Sequence, residues 1–452
     1  MKKVLIANRG EIARRVVRAC RELDLPTVAV YSEADEAALH VREAEEAVPI
    51  GKAHARHSYL NVESLIAAAR ESGADAIHPG YGFLSESARF AEACDAEGLT
   101  FVGPSASAIA AMGDKAAARR LAREADVPVI PGGDASGAGG AALSTAEAVG
   151  YPVLVKAAAG GGGRGIRVAH DAEELREALG AAAREAEAAF GDPSLYIEKL
   201  LEEARHVEVQ VVGRGDGEVI HLYERECSLQ RRRQKVLEES PSPGLHPPTR
   251  AAMAAAAVRL AAAVEYRGAG TVEFLVDRNE RFYFIEMNTR LQVEHGVTEM
   301  VTGIDLVRAQ LLVAAGEPLE FRQDDVRIDG SAIEFRINAE DPDGDFQPSP
   351  GRIDVLELPG GPGVRMDTAI YTGYTVVPYY DSLIAKLMVW APTREQALLR
   401  GRRALGELRI EGIKTTAALH ARLVDDEGVR AGNVHTGYLE DLLSRDQAAA
   451  HW

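Results

Sequence analysis

A row of polar side chains follows one predicted strand and its exit in the segment Phe282–His295. Side chains two residues apart in a strand share a face. A row of polar and charged groups on one face is costly to bury unless the groups bind something. The residues expected to point the same way are Glu286, Asn288, Arg290, Gln292 and Glu294.

A second alternating strand, Gly270–Val276, precedes this row, and the turn-like segment Asp277–Arg281 is predicted to join the two as a hairpin. The connection is expected to place Glu273 across from Glu286. Two carboxylates directly opposed on neighbouring strands repel each other, and a divalent cation is the simplest remedy. Because Mg²⁺ typically takes one or two carboxylates plus substrate phosphates, the hairpin suggests an ATP site.

A run of glycines, Gly160–Gly165, follows the predicted strand Tyr151–Lys156. Backbone N–H groups of such a loop can approach phosphate oxygens because no Cβ intervenes. No Gly-Lys-Ser/Thr follows, so the loop is not a Walker A motif, and a flexible surface loop is the alternative. Lys156 just before the run and Lys115 in Met112–Lys115 favour phosphate binding.

Other charged groups carry two open interpretations each. Glu198 and Lys199 end a hydrophobic strand and could read the edge of adenine, or simply close the strand. The run Arg231–Lys235 holds four cations, which could form a solvated face or bind an anion, with Lys235 the candidate for a small one. Four histidines show no metal-ligand spacing and are interpreted as structural: His206, His221, His246 and His295.

The elements that must position these groups begin with a strand–helix alternation. Strands alternating with helices predict a parallel, doubly wound sheet. Only Gly10 stands in the first turn, so the three-glycine dinucleotide fingerprint is absent. The predicted elements are strands at Lys2–Ala7, Thr27–Tyr31, Ala74–His78 and Thr100–Val102, and helices at Gly10–Leu23, Ser64–Ser72 and Ser87–Glu97.

Beyond this region Pro128–Gly140 is predicted to be a linker into a small module. The module is expected to hold the strand Tyr151–Lys156, the glycine run, the helix Ala172–Phe190 and the strand Leu195–Glu198. From about Arg205 the chain becomes β-rich, with one long predicted helix at Arg250–Glu265. The β-rich runs are Val207–Val212, Val219–Glu226, Thr271–Val276 and Phe282–Met287.

Composition limits the class of protein. The 452 residues leave room for about three domains. A formal net charge of −18 argues against a nucleic-acid partner, because phosphate backbones need a basic surface. The three separated cysteines fit a reducing compartment, and the short apolar N-terminal run is neither a signal peptide nor a membrane span. We expect a cytoplasmic protein with no membrane partner.

Several motifs in order resemble those of biotin carboxylase, an ATP-grasp enzyme, over essentially the whole length. They are Ile6–Ile12, His78–Glu86, Met112–Lys115, Gly160–Gly165, Glu226–Arg231, Glu286–His295, Phe335–Asp341 and Tyr379–Ser382. The resemblance implies an α/β and α+β fold: an N-terminal nucleotide-fold domain at 1–113, an ATP-grasp part at 114–203 with a mobile lid near 130–202, an ATP-grasp body at 204–330 and a C-terminal domain at 331–445.

The resemblance also implies roles for individual residues. ATP would be held by Lys115, Lys156, Gly162, Gly163, Glu198, Lys199, Leu201, His206 and Arg233, the last standing where the family commonly has His. Glu273, Glu286 and Asn288 would hold two Mg²⁺ or Mn²⁺ ions, the two glutamates also serving the nucleotide. Lys235, Arg290, Gln292 and Val293 would hold bicarbonate. Glu294 would be the base and Arg336 would stabilise the biotin enolate, with Tyr81 and Gln230 lining the biotin pocket.

The implied reaction has two steps. Bicarbonate attacks the γ-phosphate of ATP to give carboxyphosphate, and the CO2 released from it carboxylates N1′ of biotin. Biotin carriers present Met-Lys-Met, whereas the Met-Lys of this chain is Met1-Lys2 and no carrier-like segment follows residue 445. Biotin is therefore expected on a separate carrier protein, with carboxyltransferase subunits as further partners, as in an acetyl-CoA or other acyl-CoA carboxylase on the route to malonyl-CoA and fatty acids.

The sequence leaves three alternative functions open, and the resemblance also implies an oligomeric state. The alternatives are another ATP-grasp carboxylate–amine ligase, a non-catalytic nucleotide-binding scaffold and the corresponding subunit of a pyruvate carboxylase. A homodimer is implied by the resemblance. Arg15, Arg18 and Glu22 lie three and four residues apart on the first helix and are expected on one face, where Arg18 would meet Glu22 of the partner.

Overall fold

A computed structural model of the chain describes residues 1–135, 140–157, 167–190 and 193–450. By their internal contacts the residues form two compact units. One comprises Met1–Val127, Arg205–Phe274 and Glu286–Trp452, and the other Pro128–Ala204 and Leu275–Ile285. Within the described ranges, no helix combines the length and the apolar character that crossing a bilayer requires.

The chain begins with a parallel five-stranded sheet, which confirms the predicted strand–helix alternation. Its strands are β1 (Val4–Ile6), β2 (Thr27–Ser32), β3 (Glu46–Gly51), β4 (Ala76–His78) and β5 (Thr100–Phe101), in the order β3-β2-β1-β4-β5. The helices are α1 (Gly10–Glu22), α2 (Leu39–Glu43), α3 (Val62–Ser72), α4 (Ala88–Ala96), α5 (Ala106–Gly113) and α6 (Lys115–Glu124). The edge strand β3 was not predicted, because it is largely exposed and contains Pro49.

The order of this sheet reverses between β1 and β4, and the loops after these two strands meet there. The Asn8 amide donates to the carbonyls of Pro79 (2.8 Å) and Tyr81 (2.7 Å). Gly80 has a φ of +61°, and a Cβ there would lie 2.8 Å from the Asn8 amide nitrogen, so glycine is required at this close approach. The contact fixes the loop that carries Tyr81 and Glu86.

The second unit contains an antiparallel sheet in the order β6-β9-β7-β8. Its elements are β6 (Gly132–Asp134), α7 (Gly140–Val149), β7 (Val153–Ala157), β8 (Arg167–Ala169), α8 (Ala172–Phe190) and β9 (Leu195–Lys199). The prediction of a plain linker at Pro128–Gly140 is wrong, because β6 lies inside it. A Cβ on Gly132 would lie 2.2 Å from the Ile197 carbonyl oxygen, so this glycine permits close strand pairing.

In the remaining, β-rich part of the chain the four predicted strands are confirmed, and each observed strand is longer than the predicted one. The strands are β10 (Arg205–Arg214), β11 (Val219–Arg231), β12 (Gln234–Ser240), β13 (Arg267–Val276), β14 (Phe282–Asn288), β15 (Ser331–Asn338), β16 (Glu340–Asp341), β17 (Gln347–Pro348), β18 (Gly351–Arg352), β19 (Val355–Glu357), β20 (Val364–Thr368), β21 (Thr375–Val376), β22 (Leu383–Ala391) and β23 (Arg409–Glu411). The helices are α9 (Pro247–Ala263), α10 (His295–Thr302), α11 (Leu306–Ala314), α12 (Arg394–Glu407), α13 (Ala417–Leu423), α14 (Glu427–Ala431) and α15 (Tyr438–Ala450).

An eight-stranded sheet in the order β14-β13-β10-β11-β12-β15-β22-β20 organises this region. On one side β15 and β22 bury Ile333, Phe335, Leu387 and Val389 in a core that also includes α12 and α13. Charged residues alternate with these apolar ones along the same strands, so they lie on the opposite face of the sheet. That polar face carries the candidate site.

Candidate functional site

Lys235 on β12 lies at the centre of a buried group of carboxylates. Its ammonium donates to Glu208 on β10 at 2.5 Å, to Glu273 on β13 at 3.0 Å and to Glu294 at 2.6 Å. An ammonium has three protons, and each finds one carboxylate. Burial alone would lower the pKa of Lys235, but the three carboxylates hold it well above its usual value. The side chain is therefore a permanent cation.

Glu294, the residue before α10, is held by two cations at once. Its Oε1 accepts from Lys235, and its Oε2 accepts from Nη2 of Arg336 on β15 at 2.9 Å. Arg336 also donates from Nε to Glu238 on β12 at 2.5 Å. Burial would raise the pKa of Glu294, but Lys235 and Arg336 outweigh it and hold that pKa well below the usual range. Glu294 is thus a carboxylate at every working pH.

Arg225 on β11 fixes the orientation of Gln292. The Arg225 guanidinium is fully buried and donates to Glu208 at 2.6 Å and to Oε1 of Gln292 at 2.7 Å. With its oxygen occupied in this way, the Gln292 amide turns its nitrogen toward Glu273, to which it donates at 2.7 Å. The three metal and bicarbonate candidates Glu273, Gln292 and Lys235 therefore share one hydrogen-bonded network.

The predicted hairpin is confirmed. β13 and β14 are neighbours in the sheet, and the Asp277 N–H donates to the Arg281 carbonyl at 2.9 Å to close the turn. Burial, followed by the negative charge of Glu273, raises the pKa of Glu286. By contrast burial is outweighed at Glu273, whose pKa is lowered by Lys235 and His206. The two carboxylates are near enough to repel each other, as the sequence suggested.

The polar row does not continue as a strand, which corrects one expectation. β14 ends at Asn288, and residues 289–294 form a loop that leads into α10. The row still converges, because Arg290 donates from Nη2 to Asn288 Oδ1 at 2.9 Å and Asn288 donates from Nδ2 to Glu273 at 2.7 Å. Loop contacts, and not strand alternation, bring Arg290, Gln292 and Glu294 to the hairpin.

The donor set fits a divalent metal at the Glu286 side of the hairpin. Ligand atoms of His206, Glu208 and Glu273 lie within 4.8 Å of one another, but the Lys235 ammonium already supplies a cation to two of them. Within the described part of the chain, no hydrogen bond or salt bridge satisfies the half-buried Glu286 carboxylate. Glu286 and Glu273, together with Asn288, would hold a hard cation, whose positive charge would remove the repulsion between the two carboxylates.

His206 and Gln230 extend the network from Glu273. His206 Nε2 lies 2.7 Å from Glu273 Oε2, and the Gln230 amide nitrogen lies 2.6 Å from His206 Nδ1. Burial would lower the pKa of His206, but Glu273 raises it above its ordinary value. Gln230 therefore reaches the site through His206.

Tyr81 and Val293 belong to a separate contact group around Lys386 on β22. The fully buried Lys386 donates to the Val293 carbonyl at 2.8 Å and lies 3.3 Å from the Glu11 carboxylate. The Tyr81 hydroxyl donates to the same Glu11 carboxylate. Among the residues that the structure describes, Tyr81 and Gln230, predicted together as biotin contacts, thus have no hydrogen-bond partner in common.

Several functional candidates escaped the sequence analysis. Glu86 accepts from Arg290 Nε at 2.9 Å and from the Thr289 N–H at 3.1 Å, so it orients the loop of the polar row. Glu208, Arg225, Glu238 and Lys386 were also missed. The signal was available in Val207–Val212, where Glu208 and Gln210 alternate with valines and mark a polar face of a buried strand.

The nucleotide candidates of the second unit make contacts with one another. Lys156 on β7 forms an ion pair with Glu198 on the adjacent β9, and Lys199 donates to the carbonyls of Gly150 (3.0 Å) and Tyr151 (2.7 Å). Leu201 is half-buried just beyond β9. Gly162 and Gly163 lie outside the described residues.

The cation run Arg231–Lys235 separates into different environments. Arg231 and Arg232 both pair with Asp345, at 2.5 Å and 3.2 Å, and only Arg232 of the two is exposed, so the solvated interpretation holds for Arg232 alone. Arg233 is exposed at the β11–β12 turn with a φ of +66°. Only Lys235 in this run enters the central network.

Lys115 is the exposed first residue of α6 and lies near enough to Glu286 to oppose the rise in its pKa.

The expected face of α1 is partly wrong. Arg15 is 8% exposed and pairs within the same chain, with Glu299 at 2.9 Å and Asp305 at 2.6 Å. Arg18 and Glu22 are exposed. Position 15 faces α11 because the apolar stripe of α1 is wide, and a spacing of three residues did not reveal which side of that stripe it occupies.

Comparisons with known proteins cover nearly the whole chain. Family models match for the biotin carboxylase N-terminal domain at residues 1–109, the carbamoyl-phosphate synthase L chain ATP-binding domain at 114–322 and the biotin carboxylase C-terminal domain at 334–441.

Two relatives illustrate the range of similar proteins. The chain is 55% identical over 442 residues to biotin carboxylase 1 of Bacillus subtilis (strain 168), covering 97% of this chain and 98% of that one. It is 50% identical over 440 residues to a pyruvate carboxylase subunit of Methanothermobacter thermautotrophicus, covering 97% of this chain and 89% of that one.

One solved structure is similar throughout. It is the biotin carboxylase domain dimer of the Hydrogenobacter thermophilus 2-oxoglutarate carboxylase, in complex with MgADP, ADP and bicarbonate. The identity is 49% and the TM-score 0.90, with 97% of each chain covered.

Proposed function

This chain belongs to the biotin carboxylase family, and from that premise we propose that it is a ligase that carboxylates biotin with ATP and bicarbonate. The observation that carries the proposal is the Glu294 carboxylate held between Lys235 and Arg336. A base flanked by two cations suits a small anion that must be bound and deprotonated at one place.

Bicarbonate is the substrate that this arrangement serves. Lys235, Arg290, Gln292 and the Val293 backbone supply its binding groups, and Glu294 takes its proton, so that it attacks the γ-phosphate of ATP. The carboxyphosphate formed releases CO2 for N1′ of biotin. Arg336 offers a rigid, planar set of donors to the biotin enolate, with Tyr81 and Gln230 as the proposed biotin contacts.

Because the pKa of Glu294 is low, the binding of bicarbonate must also change how strong a base Glu294 is. While Lys235 and Arg336 both donate to it, the carboxylate is too weak a base to deprotonate bicarbonate. Bicarbonate offers competing oxygens to Lys235, and each cation contact that moves from Glu294 to the substrate raises the pKa of Glu294. Every unit of that rise corresponds to about 1.4 kcal/mol of base strength.

Nucleotide and metal contacts extend the proposal. We assign ATP to Lys115, Lys156, Gly162, Gly163, Glu198, Lys199, Leu201, His206 and Arg233. We assign Mg²⁺ or Mn²⁺ to Glu273, Glu286 and Asn288, where the unsatisfied Glu286 carboxylate fits a dication. A bound divalent ion supplies positive charge to the phosphoryl oxygens. The Hydrogenobacter relative was crystallised with both MgADP and bicarbonate.

Partners form the last part of the proposal. We infer that biotin arrives on a biotin carboxyl carrier protein, that carboxyltransferase subunits accept the carboxyl group, and that the chain forms a homodimer, as in the dimeric Hydrogenobacter structure. Relatives named for biotin carboxylase and for pyruvate carboxylase resemble this chain almost equally. The final acceptor, an acyl-CoA or pyruvate, therefore depends on the carboxyltransferase that co-purifies with it.

The decisive experiment measures ATP hydrolysis and carboxybiotin formation by the purified chain. Hydrolysis should be slow with bicarbonate and faster when free biotin is added. Glu294→Gln should abolish bicarbonate-dependent hydrolysis, whereas Arg336→Ala should mainly lower biotin carboxylation. If biotin neither speeds hydrolysis nor becomes carboxylated, another ATP-grasp ligase activity replaces this proposal.

A further inference from the structure

Two glutamates that this mechanism does not use lie behind Arg336. Glu238 on β12 and Glu334 on β15 are direct partners in the antiparallel ladder, so their side chains share a face. Both are 0% exposed. Glu238 Oε1 accepts from Arg336 Nε at 2.5 Å. Among the described residues, Glu238 Oε2 and both carboxyl oxygens of Glu334 have no hydrogen-bond partner.

The charges around this pair come from every element packed against it. Arg336 lies on β15, Lys386 on β22 and Lys235 on β12, while Glu294 precedes α10. The Cys227 thiol on β11 also interacts with Glu238, and the Tyr81 hydroxyl with Glu334. A Cβ on Gly296 would lie 3.6 Å from Glu334 Oε2, so the start of α10 closes that side.

Apart from Arg336, which Glu238 shares with Glu294, the nearby cations are committed to other carboxylates. Lys235 donates to Glu208, Glu273 and Glu294, and Lys386 pairs with Glu11. A buried carboxylate without its own counter-ion takes up a proton instead of remaining charged. Two opposed buried carboxyl groups cannot both ionise without a large penalty. Consistent with this geometry, burial raises the pKa of Glu238 to about 7 and that of Glu334 well above its usual range.

We propose that Glu238 and Glu334 act as a buried acid pair that retains one proton in the working enzyme and thereby positions Arg336 for biotin. With one proton on the pair, Arg336 faces a single negative charge from behind and shares its other donors with Glu294. Loss of that proton at alkaline pH puts a second negative charge behind the Arg336 guanidinium. The positive charge of Arg336 is then partly neutralised and stabilises the enolate less. The inference rests on the proposed function and concerns two positioning residues.

The test compares pH profiles of kcat/KM for free biotin in wild type and Glu334→Gln. Glutamine keeps the shape of the neutral acid but cannot lose a proton. We expect activity within about threefold of wild type at neutral pH, and an alkaline decline displaced upward by at least one pH unit. Bicarbonate-dependent ATP hydrolysis without biotin should change little. Glu239→Gln is the matched control, because Glu239 is buried on the same strand but pairs with Arg394, and its profile should keep the wild-type shape.

Thermal unfolding at each pH separates folding from function. A folded Glu334→Gln enzyme with an unchanged alkaline decline would overturn the proposal. If that variant does not fold, infrared spectra of the wild type decide. The carbonyl stretch of a protonated carboxylic acid must be present at neutral pH and must fade as activity declines, and its absence refutes the pair. A wild type that does not carboxylate biotin at any pH contradicts the proposed function itself.

Discussion

At the scale of single residues, the site is organised by competition for cations. Lys235 serves three carboxylates, and Arg336 serves two. Removing one member of such a buried network leaves an uncompensated charge, which costs about 3–5 kcal/mol. The same network leaves Glu286, beside Glu273, without a hydrogen bond or salt bridge among the described residues, and this fits the proposed metal position.

The first prediction tests that position with Glu286→Gln. Turnover should fall by at least about a hundredfold, because the amide keeps the shape but offers the metal no charge. The melting temperature of the metal-free protein should rise or stay constant, since the repulsion from Glu273 is removed. Activity is measured across Mg²⁺ concentrations and unfolding in a chelator. Glu317→Gln, at an exposed carboxylate, is the control, and wild-type turnover by Glu286→Gln would exclude the metal role.

At the scale of elements, the start of α10 decides where Glu294 points. Gly296 follows Glu294 by two residues, and a Cβ on it would lie only 2.2 Å from the sulfur of the buried Met388 on β22. Helix α10 can therefore approach β15 and β22 only because residue 296 has no side chain. This contact couples the position of Glu294, the proposed base, to that of the two strands.

The second prediction follows for Gly296→Ala. Overpacking against Met388 should lower the free energy of unfolding by about 1–3 kcal/mol and reduce bicarbonate-dependent hydrolysis through displacement of Glu294. Adding Met388→Val should restore both quantities in part, because it makes room for the methyl group. Urea unfolding and steady-state rates measure the two effects. Gly406→Ala, where nothing lies within 4 Å of the added Cβ, should be neutral or stabilising, and a loss equal to that of Gly296→Ala would contradict the contact.

The same elements show what the sequence could predict. Period-two alternation and a turn-like connection gave the β13–β14 hairpin, and helix–strand alternation gave the parallel sheet. The predicted strand Phe282–Met287 matches β14 to within one residue, but alternation alone could not show how the loop after Asn288 brings its polar residues to the hairpin. The partners of Lys235 come from β10, β13 and the start of α10, and periodicity within one segment contains no information about which distant strands pair. The role of Glu294 came from the family resemblance and that of Glu273 from the predicted hairpin as well, whereas Glu208 was missed.

At the scale of the whole molecule, buried neutral histidines make stability depend on pH. Burial lowers the pKa from 6.5 to about 4 for His40 and His420 and to about 3 for His78 and His295. Below pH 6.5 the unfolded chain therefore binds more protons than the folded chain. The contribution is complete above pH 6.5 and declines as pH falls toward 3–4, by about 1.4 kcal/mol per unit for each histidine.

The third prediction isolates one of these groups with His420→Gln. The His420 ring bonds the Arg336 carbonyl at 2.7 Å, so some stability is lost at neutral pH. The difference in free energy of unfolding between wild type and variant should shrink as pH falls from 6.5 to 4.5. The reason is that the unfolded wild-type chain gains a proton at His420 that the folded chain does not bind, whereas the variant has no such group. Urea unfolding across this range measures it. His170→Gln, at an exposed position, should parallel wild type, and an equally parallel His420→Gln curve would show that His420 contributes nothing to the pH dependence.

The fourth prediction concerns the proposed homodimer and the exposed pair on α1. In a two-fold interface, Arg18 of one chain can pair with Glu22 of the other twice, so Glu22→Arg sets cations against cations at two places. Sedimentation at micromolar protein should show a dimer for wild type and weaker association for this variant. Glu71→Arg on the exposed side of α3 should associate like wild type. A wild type that stays monomeric at every accessible concentration ends the proposal.

The eight-stranded sheet also constrains how the protein can be made. Arg336, the second cation on Glu294, is in place only when β15 has joined β12, and β15 is covered only after β22 has been synthesised. Until then Ile333, Phe335 and Ile337 belong to an unpaired edge, which is a template for aggregation. A nascent chain must therefore be synthesised beyond residue 391 before the complete network around Glu294 can form. Such late, long-range closure predicts slow folding and a need for chaperone protection during synthesis.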